Sequence, residues 1–182
     1  MSPEGSTVTF RRVPETLKRQ LQRPLQRFAR TLQTEVAASG EFDCLVTSDA
    51  ELRRLNGAFR GHDVSTDVLS FPNEHKGPGF RVGRRKRLPH EAPPRRAAAG
   101  QKPWPHFMPH LGGLAISLPR ARAQARQFGH EVQDEIRILM LHGLLHLLGM
   151  DHENDHGRMA RAERRWRARL GLPPGLIERV AS

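Results

Sequence analysis

Leu25, Phe28, Ala29, Leu32 and Val36 recur at intervals of three and four residues, the spacing that gathers side chains on one stripe of an α-helix. Pro24 suits the first turn of that helix, where no backbone hydrogen bond is lost, and Gly40 suits its end. On either side the pattern shortens. Val8 to Arg12 (VTFRR) and Phe42 to Thr47 (FDCLVT) predict strands from their β-branched and aromatic content. Asp49 is the expected N-cap of a short helix carrying Leu52 and Leu55, and DVLSF, Asp67 to Phe71, closed by Pro72, predicts a third strand. LGGLAIS, Leu111 to Ser117, predicts a fourth, after which Pro119 opens a helix with Ala121, Ala125 and Phe128. Glu131 to Leu148 predicts a longer helix whose apolar face includes Val132, Ile136, Leu139 and Met140, with Glu131 and Glu135 turned to solvent. A last helix, at about 154–170, carries six Arg between Arg158 and Arg169 and is closed by LPPG. Strands and helices in mixed order predict an α+β (mixed α/β) fold, a sheet packed against helices in one domain over 1–182.

Between Lys76 and His110 the periodicity stops. This stretch has nine Lys and Arg, one Glu and seven Pro, too little apolar surface to offset the entropy of ordering, and reads as an exposed or disordered insertion. Arg84, Arg85 and Arg87 within it are candidate RNA contacts; the plainer reading is a solvated basic loop. The whole chain has 30 Lys and Arg against 19 Asp and Glu in 182 residues, a formal charge of +11. Such an excess attracts polyanions, nucleic acid first among them, although an Arg-rich proteome would produce it without any such partner. Cys44 is the one cysteine, which excludes an intramolecular disulfide, leaves metal binding to His and carboxylates, and fits a reducing cytoplasm. The opening MSPEGSTVTFRR lacks the apolar stretch of a signal peptide, and the longest apolar run, Ile138 to Met150, is too short to span a bilayer. A soluble protein is expected.

That same run leads into the main chemical signal, HGLLHLLGMDH from His142 to His152. Residues four apart on a helix differ by about 40° around its axis, so His142 and His146 project from one face, one turn apart. Gly149 can take the left-handed conformation that ends a helix and returns the chain, bringing His152 toward the first two. Three neutral imidazoles with no fourth protein ligand match a catalytic zinc site whose open position holds water. Core histidines held by hydrogen bonds are the plainer reading, but each buried imidazole then needs its own partner, and a shared metal serves all three. His156 is a rival third ligand or a partner to a ligand. The spacing H-x-x-x-H-x-x-G-x-x-H is also that of the long zinc-protease motif, except that Gly143 stands where those proteases carry their general-base Glu.

HGLLHLLGMDH, taken with LNGAFRGHDVSTDVLSFP from Leu55 to Pro72, resembles the YbeY family of bacterial metal-dependent endoribonucleases, also called rRNA maturation factors. The motifs occur in the family's order, and the resemblance covers nearly the whole chain outside the basic insertion. It implies a mixed four-stranded sheet packed with helices and a zincin-like site with one zinc ion per chain on His142, His146 and His152. It also implies cleavage of single-stranded RNA, maturation of the 3′ end of small-subunit rRNA, and removal of defective ribosomes. The partners implied are an rRNA precursor, the small ribosomal subunit, one of its proteins and a ribosome-assembly GTPase, all in the cytoplasm. Arg60 falls on the arginine that the family treats as functionally important, so the resemblance makes it the expected catalytic residue. Two positions depart from the family pattern. Gly113 replaces a usual acid in the strand LGDIxIS, and Met150 replaces a frequent Tyr.

Cutting RNA requires attack on a phosphodiester and stabilisation of charge on its non-bridging oxygens. Zinc polarises a phosphoryl oxygen or lowers the pKa of its water to about 7. The planar guanidinium of Arg60 matches phosphate geometry, while a salt bridge to Asp63 or Asp67 is its structural alternative. Asp67 and Ser70 are candidates for shaping the pocket, Thr66 and Asp67 equally for capping a turn, and Asp151 for orienting a ligand imidazole through its second nitrogen. Arg161 and Arg165 of the last helix are candidate phosphate contacts, which position RNA without reading its sequence. No general base stands out. Two other functions fit the same histidines: a zinc hydrolase of peptides or small molecules, and a non-catalytic ribosome-assembly factor with a structural zinc.

Overall fold

The computed structural model of the chain describes residues 5–73, 110–151 and 155–174. Arg84, Arg85, Arg87 and His152 lie outside the described residues, as does the basic stretch up to 109. Four strands, β1 (Thr7–Phe10), β2 (Glu41–Thr47), β3 (Val68–Pro72) and β4 (His110–Ser117), form one sheet in the order β1-β2-β4-β3. β1 pairs with β2 and β2 with β4 in parallel, and β3 closes the sheet as an antiparallel edge strand. Five helices are described: α1 (Glu15–Glu35), α2 (Asp49–Arg60), α3 (Leu118–Phe128), α4 (Val132–Leu147) and α5 (Arg158–Arg169). The mixed α+β class and the four strands are as expected. His110, placed with the insertion by composition, instead begins β4, where its ring meets Asp43 across the sheet at 3.1 Å.

Side chains on a strand alternate between faces, and here the alternation separates two layers. Phe42, Cys44 and Val46 of β2 and Leu114 and Ile116 of β4 point to one face, where they are buried with Leu25 and Leu32 of α1 and Ile136, Leu139 and Met140 of α4. Leu69 of β3 and Ala115 of β4 point to the other, where Leu52 of α2 covers them in a much smaller cluster. Burial pushes the Cys44 thiol up to about 12, with the negative charge of Asp43 adding to it, so this cysteine is an inert core residue.

Two helix starts differ from the sequence reading. α1 begins at Glu15, because Leu17 and Leu21 extend the apolar stripe upstream, and Pro24 therefore sits inside the helix rather than in its first turn. The N-cap of α2 is Ser48, whose extended backbone lets its hydroxyl accept from the Glu51 N–H. Asp49 is the first helical residue and accepts a hydrogen bond from the hydroxyl of Ser117, itself the N-cap of α3, which ties the starts of the two helices together. Near the start of β4, where its register with β2 shifts, Gly112 takes φ +136°, and a Cβ there would lie 2.1 Å from the Phe71 carbonyl oxygen, so only glycine lets β3 approach β4 at this point.

α4 is apolar on nearly every side and is buried accordingly, between α1, α3, α5 and the sheet. Glu135, expected at the surface, is fully buried there; its carboxylate lies 2.5 Å from the His130 ring in the turn after α3. Glu131 does face solvent, one residue before the helix. α5 turns Met159, Ala162 and Glu163 inward, while Arg158, Arg161, Arg164, Arg165 and Arg169 are exposed.

Candidate metal centre

His142 and His146 occupy one face of α4, as their spacing predicts, with His142 buried and His146 half-buried. Their Nε2 atoms face each other at 3.2 Å, with ring centroids 4.8 Å apart. The opposite nitrogens are both held. His146 Nδ1 lies 2.9 Å from the Met150 carbonyl, and His142 Nδ1 lies 3.1 Å from Glu163 Oε2. A carbonyl can only accept, so His146 donates from Nδ1, and the Glu163 carboxylate draws the His142 proton to Nδ1 in the same way. With the proton on Nδ1, each ring turns the lone pair of its Nε2 toward the other, where one cation can meet both.

The end of α4 explains how the Met150 carbonyl comes to be there. Gly149 takes φ +83°, its N–H donates to the His146 carbonyl at 2.9 Å, and the Met150 N–H donates to the Leu145 carbonyl at 3.0 Å. This paired closure is the Schellman arrangement that glycine permits, and it folds residue 150 back along the last turn. The chain then continues toward His152, so the described residues include two of the three expected ligands. Convergent imidazoles whose second nitrogens are fixed by a carboxylate and a carbonyl form a donor set that suits zinc.

Glu163 was not among the candidate residues. It comes from α5, 21 residues beyond His142, is 2% exposed, and its Oε1 has no hydrogen-bond partner among the described residues. A signal was present in the sequence: Met159, Ala162, Glu163 and Trp166 share the inward helical stripe, and Glu163 is the one acid on it. Asp151 is exposed, and for His142 and His146 the orienting role expected of it falls to Glu163 and Met150. His156 lies exposed in the turn before α5, with φ +53° and its carbonyl accepting from Arg161. Arg161 and Arg165 are exposed on α5, and the Arg165 guanidinium sits 5.6 Å from the Trp166 ring centroid.

On the β3 side, Ser70 links Arg60 to the histidine helix. Its buried hydroxyl donates to the Gly143 carbonyl on α4 at 3.1 Å, and its own carbonyl accepts from Arg60 Nη2 at 3.2 Å. Arg60 thus makes neither of its alternative salt bridges: Asp63 is held by Arg53 through two bonds of 2.7 Å, and Asp67 accepts from Thr66, the Val68 N–H and Gln124. Asp67 is a cap that ties the start of β3 to α3. Position 143 is equally constrained. A Cβ there would lie 2.8 Å from a Leu114 methyl and 3.3 Å from both Ser70 Oγ and a Val68 methyl, so the Glu of the protease motif has no room. Gly113 is different: a Cβ would meet nothing closer than 4.0 Å, and it would point to the Ala115 face of the sheet, away from α4.

The family model described as "Endoribonuclease YbeY" matches residues 7–171. The chain is 56% identical over 181 residues to an endoribonuclease YbeY of Solibacter usitatus, covering 100% of this chain and 99% of that one. It is 41% identical over 139 residues to an endoribonuclease YbeY of Nautilia profundicola, covering 76% of this chain and 78% of that one. A solution structure from Thermotoga maritima aligns over 88% of this chain and 86% of that one, with 20% identity and a TM-score of 0.45.

Proposed function

The chain belongs to the YbeY endoribonuclease family, and from that premise we propose that it cuts single-stranded RNA at the histidine face of α4, with one zinc ion held by His142, His146 and His152. The observation that carries this reading is the pair of Nε2 atoms facing each other at 3.2 Å while both Nδ1 positions are tied to acceptors. When bound, zinc supplies Lewis acidity toward the phosphodiester. The rest of the work belongs to the chain. Glu163 and the Met150 carbonyl hold the two imidazoles in one tautomer and one orientation. Ser70 fixes Arg60 at the sheet edge beside α4, where its remaining N–H groups are available to the non-bridging oxygens on which charge develops.

The +11 charge and the exposed arginines of α5, Arg161 and Arg165 among them, favour a polyanionic substrate held along its backbone. The same reading extends to the 3′ end of small-subunit rRNA as the target, to ribosome quality control, and to cytoplasmic partners comprising a small-subunit ribosomal protein and an assembly GTPase. Among the described residues no helix is long and apolar enough to cross a membrane. A peptidase reading lacks support, since the packing at Gly143 leaves no space for the motif's carboxylate.

The test is cleavage of a short single-stranded RNA by zinc-loaded protein, beside a His146→Ala variant and a chelated control. Cutting by the intact, loaded protein alone is expected. Equal background cutting by all three, with zinc still tightly bound, would assign the imidazoles to a structural ion and the protein to a binding role.

A further inference from the structure

Phe59 is 68% exposed, the most exposed large apolar side chain among the described residues. Its position follows from the helix that carries it. Leu52, Leu55 and Phe59 repeat at i, i+3 and i+7 on the sheet-facing stripe of α2; Leu52 is buried and Leu55 half-buried, but by Phe59 the helix has run to the sheet edge. There the ring packs on Phe71 of β3 with centroids 5.0 Å apart and planes at 57°. A tilted pair supports one ring from below and leaves the outer ring open to a further partner. Gly113, opposite Phe71 in the register, adds no side chain that would fill the space on that face.

The neighbours of Phe59 indicate which partner. In the antiparallel β3–β4 pair, Asp67 bonds Ser117 and Asn73 bonds Leu111, so by alternation Leu69 and Phe71 bond β4 while the N–H and C=O of Ser70 point to the open edge. Arg60, next to Phe59 in sequence, binds that outward carbonyl. A cation thus sits at the rim, with the aromatic pair on one side of β3 and, through Ser70 Oγ, the histidine helix on the other. A planar hydrophobic ligand attached to an anion matches this order, and a single-stranded nucleotide has both parts.

Resting on the endoribonuclease reading above, we propose that Phe59, supported by Phe71, stacks a nucleobase flanking the cleaved bond while Arg60 holds the intervening phosphate, so that the strand crosses the β3 edge into the histidine site. This confines the substrate to unpaired RNA, since a base within a duplex cannot present its face to the ring. The test uses the full-length, metal-loaded protein and short single-stranded RNAs, one intact and others each lacking a base at one position. Phe59→Leu keeps an apolar residue at an exposed site, and its melting temperature checks that it folds. It is expected to raise KM about tenfold with kcat changed less than twofold, and Phe59→Trp to recover the loss. Removing the stacked base is expected to cost wild type the same factor and to cost Phe59→Leu nothing more. Wild-type KM in Phe59→Leu, or equal sensitivity of both proteins to every missing base, would overturn the stacking subsite and leave the nuclease intact. A peptide partner on the ring would give that second result. No cleavage by wild type would overturn the nuclease reading first, and this inference with it.

Discussion

The two faces of the sheet differ in how many helices cover them, and this decides what a polar side chain can do on each. On the face under α1 and α4, three polar side chains lie in an apolar layer and meet defined partners: Ser70 meets Gly143, Glu135 meets His130 and Glu163 meets His142. Buried polar atoms are held to fixed geometry because an unpaired one costs about 1–3 kcal/mol. Among the described residues, α2 is the helix that covers part of the opposite face. Asp43 meets His110 in solvent, and Arg53 and Asp63 pair with more than half of each side chain exposed. Such pairs contribute little, so this face can vary its charges and still fold. The histidine site belongs to the first environment and the aromatic platform to the rim of the second, with β3 between them.

The sharpest way to break this contrast is to open a cavity on each side. Leu139→Ala on the α4 side is expected to cost about 3–5 kcal/mol, whereas Leu52→Ala, in a cluster of few residues with solvent nearby, is expected to relax and cost about 2–3 kcal/mol. Urea unfolding of both at fixed salt measures the difference, and equal costs would show that the thinner layer is as tightly packed. A smaller effect sharpens the polar part of the contrast. Glu163→Gln keeps the shape but removes the charge facing His142, and zinc affinity is expected to fall about 10- to 100-fold, read by competition with a chromophoric chelator. An unchanged affinity would mean that the buried carboxylate serves packing rather than the imidazole.

The smallest effect concerns Glu51, a buried carboxyl at the start of α2 that meets exposed arginines. The Arg54 hydrogen bond, then the charges of Arg54, Arg12 and Arg11, hold its carboxyl below the ordinary 4.5, against burial that raises it. A depressed value means that the stabilisation is full above the unfolded pKa and is lost as pH falls through the folded one. Glu51→Gln is therefore expected to cost under about 1 kcal/mol at pH 7, because its partners are solvated, and to cost nothing once the wild-type carboxyl is protonated. Thermal unfolding from pH 7 to 3 follows the convergence of the two proteins; a constant gap would place the contribution in packing.

Much of this was legible from local pattern. Apolar spacing located the strands and helices, the i,i+4 histidines and Gly149 announced one face of α4 and its turn, and two motifs pointed to the family. The elements and the turn rest on the backbone's own periodicity and on what glycine permits, and the family on the resemblance of two motifs; none of these depends on how distant segments pack. Packing between distant segments decided the remainder. Glu163 reads as one acid in an arginine-rich helix until α5 docks it against His142; Glu135 reads as a surface carboxylate until α4 is enclosed; Arg60 has plausible acids nearby until Arg53 and the β3 cap take them. Burial is a property of what covers a residue, and a hydrogen bond is a property of two positions in space, so the chain's pattern named the imidazoles while only its tertiary structure named the groups that hold them.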